Sequence, residues 1–295
     1  MQPSQQICAA RHTLIAGFLL ALQIAPKKPQ AQPYIDVLTV RYINSPDMTS
    51  VGKTKNPTRL DYLNLSLTLP FQFKNKKDAI ILSPFAERWN SQVESVSGYN
   101  NYHYGLALPI GFLKSIPHSN WSILATGIFR MNDANINFQA KTQWGGYALA
   151  SWQKKASLNY KLGIYINGDF FGLFVVPLVG IDWQINDRLN LFGVLPASLT
   201  LEYKLSNHFY TGSVFRTFTN SYHDTGSKYM RVDENQLGLF LDYYYGKRWV
   251  FNLEAGHSIL RKLRGGEWKN INENWNAGDN FYFKCMIAYR LRLRK

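Results

Sequence analysis

Apolar and polar side chains alternate along most of this chain. In 279–294 the odd positions carry Phe281, Phe283, Cys285, Ile287, Tyr289, Leu291 and Leu293, and the even ones include Asn280, Lys284, Arg290, Arg292 and Arg294. In 248–261, Trp249, Phe251, Leu253, Ala255 and Ile259 oppose Asn252, Glu254 and Ser258. In 157–168, Leu158, Tyr160, Leu162, Ile164 and Ile166 oppose Asn159, Lys161 and Asn167. In 58–73, Leu63, Leu65, Leu67, Leu69, Phe71 and Phe73 are set against Asp61, Asn64, Ser66 and Thr68. A period of two marks strands with one apolar and one polar face. No helical period stands out after residue 33. The pattern predicts strands at 34–44, 58–73, 78–89, 99–113, 120–131, 143–153, 157–168, 172–185, 207–220, 233–246, 248–261 and 279–294, with 188–205 ambiguous.

The connections alternate in length. Short turns fall at 74–78, 114–120, 153–157, 185–187, 206–207 and 246–247. Longer polar loops fall at 45–57, 90–98, 131–142, 221–232 and 262–278, with a tighter one at "GDFFG", 168–172. Outer-membrane barrels have short periplasmic turns and long outer loops. This rule resolves 188–205. The turns on either side of it are both short, so an even number of strands must separate them. The segment is therefore two strands with a tight outer turn at Pro196-Ala197, where proline's missing N–H is tolerated. The count becomes fourteen, with twelve as the fallback, and both mature ends lie in the periplasm. The fold expected is all-β: one up-and-down antiparallel transmembrane barrel over 32–295.

Tryptophans decide which face points outward. Trp121, Trp152, Trp183 and Trp249 lie near short turns and on the apolar parity of their strands. Amphipathic rings at that level form the aromatic girdle of a membrane barrel. A barrel this wide is also beyond what apolar side chains can fill; about eight strands is that limit. The apolar face therefore meets lipid.

Composition adds the address. "TLIAGFLLALQIA" (13–25), preceded by Arg11 and followed by "PKKPQAQ", reads as a secretory signal peptide over 1–31, cleaved near Ala31. Its loss leaves 30 basic and 19 acidic side chains, a net +11, and one cysteine, Cys285. No internal disulfide is then possible. Export and the scatter of Lys and Arg argue against nucleic acid as partner. Outer-membrane lipids and lipopolysaccharide, and the barrel-insertion machinery, are the partners expected. The stretches "PLVGIDWQINDRLNLFGVLPASLTLEYKLSNHFYTGSVFR" (177–216) and "YMRVDENQLGLFLDYYYGKRWVFNLEAGHSILRKL" (229–263) resemble a family of uncharacterised Bacteroidota outer-membrane β-barrels. The resemblance implies a barrel and an outer-membrane location. It supplies no catalytic or binding residues. The chain departs from many such barrels by ending Leu293-Arg294-Lys295 instead of in an aromatic residue.

Candidate chemistry is sparse. "LEAGHS" (253–258) offers Glu254, His257 and Ser258, but adjacent strand residues point to opposite faces, so His257 cannot reach Ser258. "SYHDTGSKYMRVDEN" (221–235) gathers His223, Asp224, Asp233 and Glu234 without a known metal-ligand spacing, and reads as a solvated outer loop. No phosphate-cradling glycine loop or nucleotide signature is present, so no cofactor is expected. The better lead is the charge on the polar parity: Arg41, Asp182, Glu202, Lys204, Asp242, Glu254, Lys284, Arg290 and Arg292. In lipid each Arg or Lys would cost about 2–4 kcal/mol at the midplane, so these point into the lumen. They either brace the wall as ion pairs or select solutes. Arg290, Arg292 and Arg294 are expected at the periplasmic mouth with Arg41 beside them, partly unpaired, making a weakly anion-selective opening. The function expected is non-enzymatic: a passive pore or small-solute conduit, or a structural barrel. An outer-leaflet enzyme acting on lipids and a surface-binding protein using its long loops are the alternatives.

Overall fold

The computed structural model describes residues 32–46, 58–75, 77–93, 98–138, 142–275 and 278–293. Residues 1–31, expected to be a signal peptide, and most of the loop 45–57 lie outside the described residues. Among those described there is no helix, and seventeen strand segments. In chain order they are β1 (Tyr34–Ser45), β2 (Thr58–Leu67), β3 (Leu69–Gln72), β4 (Ala79–Leu82), β5 (Phe85–Val93) and β6 (Tyr102–Ser115). Then come β7 (Trp121–Asp133), β8 (Gln143–Lys155), β9 (Leu158–Asp169), β10 (Gly172–Gln184), β11 (Leu189–Leu195) and β12 (Ser198–Lys204). The last are β13 (Phe209–His223), β14 (Lys228–Tyr245), β15 (Trp249–Glu267), β16 (Glu273–Trp275) and β17 (Phe281–Arg292).

These build a closed wall of fourteen antiparallel strands. β2 and β3 are one strand interrupted at Thr68, and β4 and β5 are one strand interrupted at Ser83-Pro84. β16 only extends the far end of β15. The first and last strands seal the barrel, with Tyr34 opposite Arg292 and Asn44 opposite Phe283. The ambiguous segment is a hairpin: Val194 pairs with Ser198, and Pro196-Ala197 make its turn.

The short turns are made by side chains that imitate backbone. Asn75 Oδ1 accepts from the Lys77 and Asp78 N–H groups, and Asn186 Oδ1 from those of Arg188 and Leu189. Ser206 Oγ does the same for His208 and Phe209. Such turns need few residues, which is why one end of the barrel is trim. In the turn after β3, Asp78 also takes Lys114 Nζ at 2.6 Å and the Ser115 N–H at 2.9 Å. Those hydrogen bonds, Lys114's first, hold its carboxyl down to about 2.

The outer surface is apolar all round. Leu239 and Leu253 are 71% and 60% exposed, and Leu173 is 74% exposed. A soluble protein rarely leaves so large a continuous apolar surface open, whereas a bilayer covers it. Trp121, Trp152, Trp183 and Trp249 all stand outward near the short-turn end. Asp61 corrects the pattern read from sequence. It shares the outward parity of Leu63, and it sits beyond the belt, where Tyr42, Asn44 and Asn90 donate to it.

Strand lengths are unequal, and this shapes the interior. β11 and β12 have 7 residues each, while β14 and β15 have 18 and 19. Gly193 helps end the short hairpin: its φ of 146° and the Ser198 carbonyl beside it leave no room for a side chain. β12 accompanies β13 only as far as Arg216. Beyond it β13 keeps β14 on one side and loses its neighbour on the other.

Candidate functional site

The far end of β13 leaves the wall and crosses the barrel. His223 pairs in parallel with Asp133 of β7, and its carbonyl accepts the Ala134 N–H at 2.8 Å. Ser221 Oγ donates to Asp169 at 2.8 Å and accepts the Phe170 N–H. Asn132 Nδ2 donates to the Ser221 carbonyl. β14 and β15 follow β13. Tyr222, Val232 and Leu263, from the three strands in turn, pack with Tyr62 of β2, Trp89 of β5 and Tyr282 of β17 into a core inside the lumen. Burial of each such side chain is worth about 1.5–3 kcal/mol. The loop end of the barrel is thus filled by extended wall strands.

The polar contacts of this plug are buried too. Glu87 accepts from Tyr222 at 2.6 Å, Tyr62 at 2.9 Å and Asn220 at 3.2 Å. Glu234 takes Arg261 Nε at 2.6 Å, and Arg261 also donates to Ser45. Asp224 lies 3.0 Å from His103 Nε2 and accepts the Asn100 N–H at 2.9 Å. Burial raises the Asp224 carboxyl, but these hydrogen bonds outweigh it and hold the group below the usual carboxylate range.

This corrects the reading of 221–235 as a solvated loop. Asp224 and Glu234 are each 1% exposed. His223 turns to Asp133, Asp224 to His103, Asp233 to Arg231 and Glu234 to Arg261. The four residues do not converge on a shared centre. The "LEAGHS" residues are divided as well. Ser258 is fully buried, and its hydroxyl donates to the Asn280 carbonyl, while His257 packs against Phe281 on the other face.

Towards the short-turn end the lumen is lined by ion pairs. Arg290 bridges Asp36 and Asp242, each at 2.6 Å, and stacks over the Tyr34 ring at 3.6 Å. Arg292 reaches Glu202 at 2.7 Å and lies over the Tyr210 ring. Lys161 pairs with Asp182 at 2.7 Å. Lys204 is half-buried opposite Tyr210. Midway up, Glu254 holds Arg216 at 2.6 Å, together with Lys284 and the Tyr282 hydroxyl at 2.7 Å. Arg41 is at this height, opposite Met286.

The structure therefore places all nine sequence candidates on the inner face, but overturns two details. Arg290 and Arg292 at the mouth are paired, not free, and Arg294 lies outside the described residues. Their partner Asp36 has the parity of the outward residues of β1; a β-bulge between Asp36 and Leu38 turns it inward. Arg41 is beside Lys284 and not at the mouth. Arg216 and Asp36 complete the ion pairs and were missed as lumen charges, while Lys161 was placed on the polar face of its strand but not counted among them. Alternation on β13 could have revealed Arg216, since it shares the parity of Tyr210 and Val214.

A cavity of about 260 Å³ remains between the plug and the ion-paired floor. Arg41, Arg216, Glu254 and Lys284 line its inner side, and Ala197 and Thr217 its edge at the short hairpin.

A family model described as a domain of unknown function (DUF6268) matches residues 38–294. The chain belongs to this family. No curated protein matches it. Among solved structures it is similar to an outer membrane channel from Pseudomonas putida F1, at 10% identity and a TM-score of 0.47, covering 88% of this chain and 96% of that one. The NanC porin is similar at 10% identity and a TM-score of 0.42, over 86% and 100% of the two chains. The KdgM porin follows at 11% identity and 0.35, over 85% and 98%.

Proposed function

We propose that this family member is a passive outer-membrane barrel: a narrow small-solute conduit or structural barrel, closed at its outer end by its own strands. The observation that carries this is the division of chemistry across the wall. The outside is apolar at every strand, and the inside is lined by charges, most of them paired. An apolar belt of this kind is stable with lipid outside, and pairing of β1 with β17 leaves no open edge where the first and last strands meet. The short-turn end then faces the periplasm and the loop end faces outward. Residues 1–31 are the export signal, removed near Ala31. Outer-membrane lipid, lipopolysaccharide and the insertion machinery are the partners of such a wall. The resemblance to Bacteroidota barrels supports the same location and a Bacteroidota origin.

The reading is non-catalytic. A Ser–His pair needs hydrogen-bond reach on one face, and Ser258 is committed to Asn280 instead. It is also not strongly anion-selective, because Arg290 and Arg292 are neutralised by Asp36, Asp242 and Glu202.

Cell fractionation and planar bilayers test this together. The mature protein is expected with outer membranes, with an electrophoretic mobility that changes on heating. In bilayers it is expected to give small, weakly selective currents, or none while the plug stays in place. Recovery as a soluble periplasmic protein would overturn the proposal, and so would a large, steadily open pore.

A further inference from the structure

The short β11–β12 hairpin leaves an interruption in the wall. β10 pairs with β11 only from Val179 to Gln184, so residues 172–178 have β9 alone. β13 has lost β12 beyond Arg216 and has moved inward. Above Pro196-Ala197 two strand edges therefore face each other, and among the described residues no backbone hydrogen bond joins them. The Ile185 N–H points to β11 and the Gln184 N–H to β9, so by alternation Leu173, Val175 and Pro177 turn their backbone groups to the open edge. Pro177 suits such an edge, having no N–H to leave unpaired. Arg231, 4.0 Å over the Phe171 ring, closes the top of the opening, and the Thr217 N–H bonded to the Ala197 carbonyl marks its sill. Leu173, Val175 and Val179 beside it are exposed on the lipid side. Backbone pairing in the wall is interrupted here, between β10 and β13.

The cavity extends to the sill of this opening, where Ala197 and Thr217 line it. Inside, three cations share one carboxylate. Arg216 and Lys284 both lean on Glu254, and Arg41 makes no ion pair among the described residues. Arg41 Nε is buried with no hydrogen-bond partner. The other acids lining the cavity, Asp36 and Asp242, are engaged by Arg290. Buried charge without compensation is costly, and an anion brought into the cavity would relieve it. At about 260 Å³ the space is below the roughly 300–1,000 Å³ of most small-molecule pockets. It suits a head group whose remainder lies elsewhere.

We propose that the cavity holds the anionic head of a single-chain amphiphile, a carboxylate or phosphate on an acyl chain, which enters from the bilayer through a lateral window between β10 and β13. Arg41 takes the head; the chain leaves past Val175 and Thr219 into the outer leaflet. The inference rests on the membrane-barrel reading above, and its test separates the two.

The test uses the mature protein in phosphatidylcholine nanodiscs with a photoactivatable 14-carbon fatty acid. Labelling, mapped by mass spectrometry, is expected on 172–179 and 217–219. Arg41→Gln should lower it at least tenfold, Arg41→Lys should restore most of it, and the matching fatty alcohol should label neither segment. Joining Val175→Cys to Thr219→Cys across the opening with a bismaleimide should abolish labelling, and either single cysteine variant, capped with a small maleimide, should keep it. Heat-dependent mobility shows that each variant is folded. Excess acetate or inorganic phosphate should compete weakly. Full competition would make this a site for free anions and overturn the amphiphile assignment. Labelling spread evenly round the belt, or indifferent to Arg41→Gln, would overturn the site. A protein that does not enter nanodiscs at all would overturn the membrane reading itself.

Discussion

Replacing Glu254 by Gln tests whether the lumen is dry. The side chain keeps its volume, so packing is unchanged. What is lost is the one carboxylate that faces both Arg216 and Lys284. Glu254 is 4% exposed, and Arg216 grips it through both terminal nitrogens, at 2.6 and 2.7 Å. Opposite charges about 4 Å apart are worth about 1 kcal/mol in water and about 4 kcal/mol at an effective dielectric of 20. Breaking a buried pair by removing one partner costs about 3–5 kcal/mol, since the remaining charge stays buried. The expected loss for Glu254→Gln is therefore about 3–5 kcal/mol. The assay is urea unfolding from phosphatidylcholine vesicles, followed by tryptophan fluorescence and by heat-dependent mobility. Adding Lys284→Met to the same chain removes one stranded cation. The double variant should regain about half of the loss, a coupling within the 0.5–3 kcal/mol seen for residues in one network. A loss below about 1 kcal/mol would refute the reasoning, because only water around these groups could screen them that well.

Three further outcomes are expected. An epitope inserted between Pro196 and Ala197 should be reachable on intact cells, and one between Ser206 and Asn207 hidden; the reverse pattern would invert the topology. Glu87→Ala strips Tyr62, Tyr222 and Asn220 of their shared acceptor, so it should loosen the plug and raise single-channel conductance several-fold, and unchanged currents would show that the plug does not limit flow. Asp78 has its carboxyl held at about 2, so its support of the turn is complete above the ordinary Asp value of about 3.9 and is lost as pH falls through 2; the Ser115 amide resonance should shift with a midpoint near 2, and a midpoint near 4 would show that the Lys114 contact is absent.

The wall was legible in the sequence because two local signals agree there. A period of two fixes which side chains share a face, and Asn, Ser and Gly clusters fix where a strand must turn. Together they gave fourteen strands and the hairpin at Pro196. The plug was not legible by the same means. Residues 221–235 are rich in turn formers and charges, so they read as loop. Yet Met230 and Val232 alternate with Arg231 and Asp233, a strand signal that polar neighbours obscured. Pairing was harder still. Parity says that Arg290 points inward; only the register and the bulge at Asp36 say whom it meets. Arg216 and Glu254 lie on β13 and β15, with β14 between them. No spacing along the chain announces their contact.

The seam between β1 and β17 has a kinetic consequence. Arg290 and Asp36 are 254 positions apart in the chain, and Arg261 and Ser45 are 216 apart. Joining such distant segments costs loop-closure entropy before any contact rewards it, and chains dominated by distant pairings assemble slowly. Hairpins such as β9–β10 and β14–β15 can form early, since their partners are neighbours. The seam cannot form until the last strand is present, and Tyr222 and Glu87, 135 positions apart, must meet inside before the cylinder shuts around them. Until then the chain offers two unpaired edges and a ring of exposed leucines, the features that drive strands of different molecules together. A chain cut short before β17 would therefore be caught at its stickiest stage, with its N-terminal half already folded and nothing to close against.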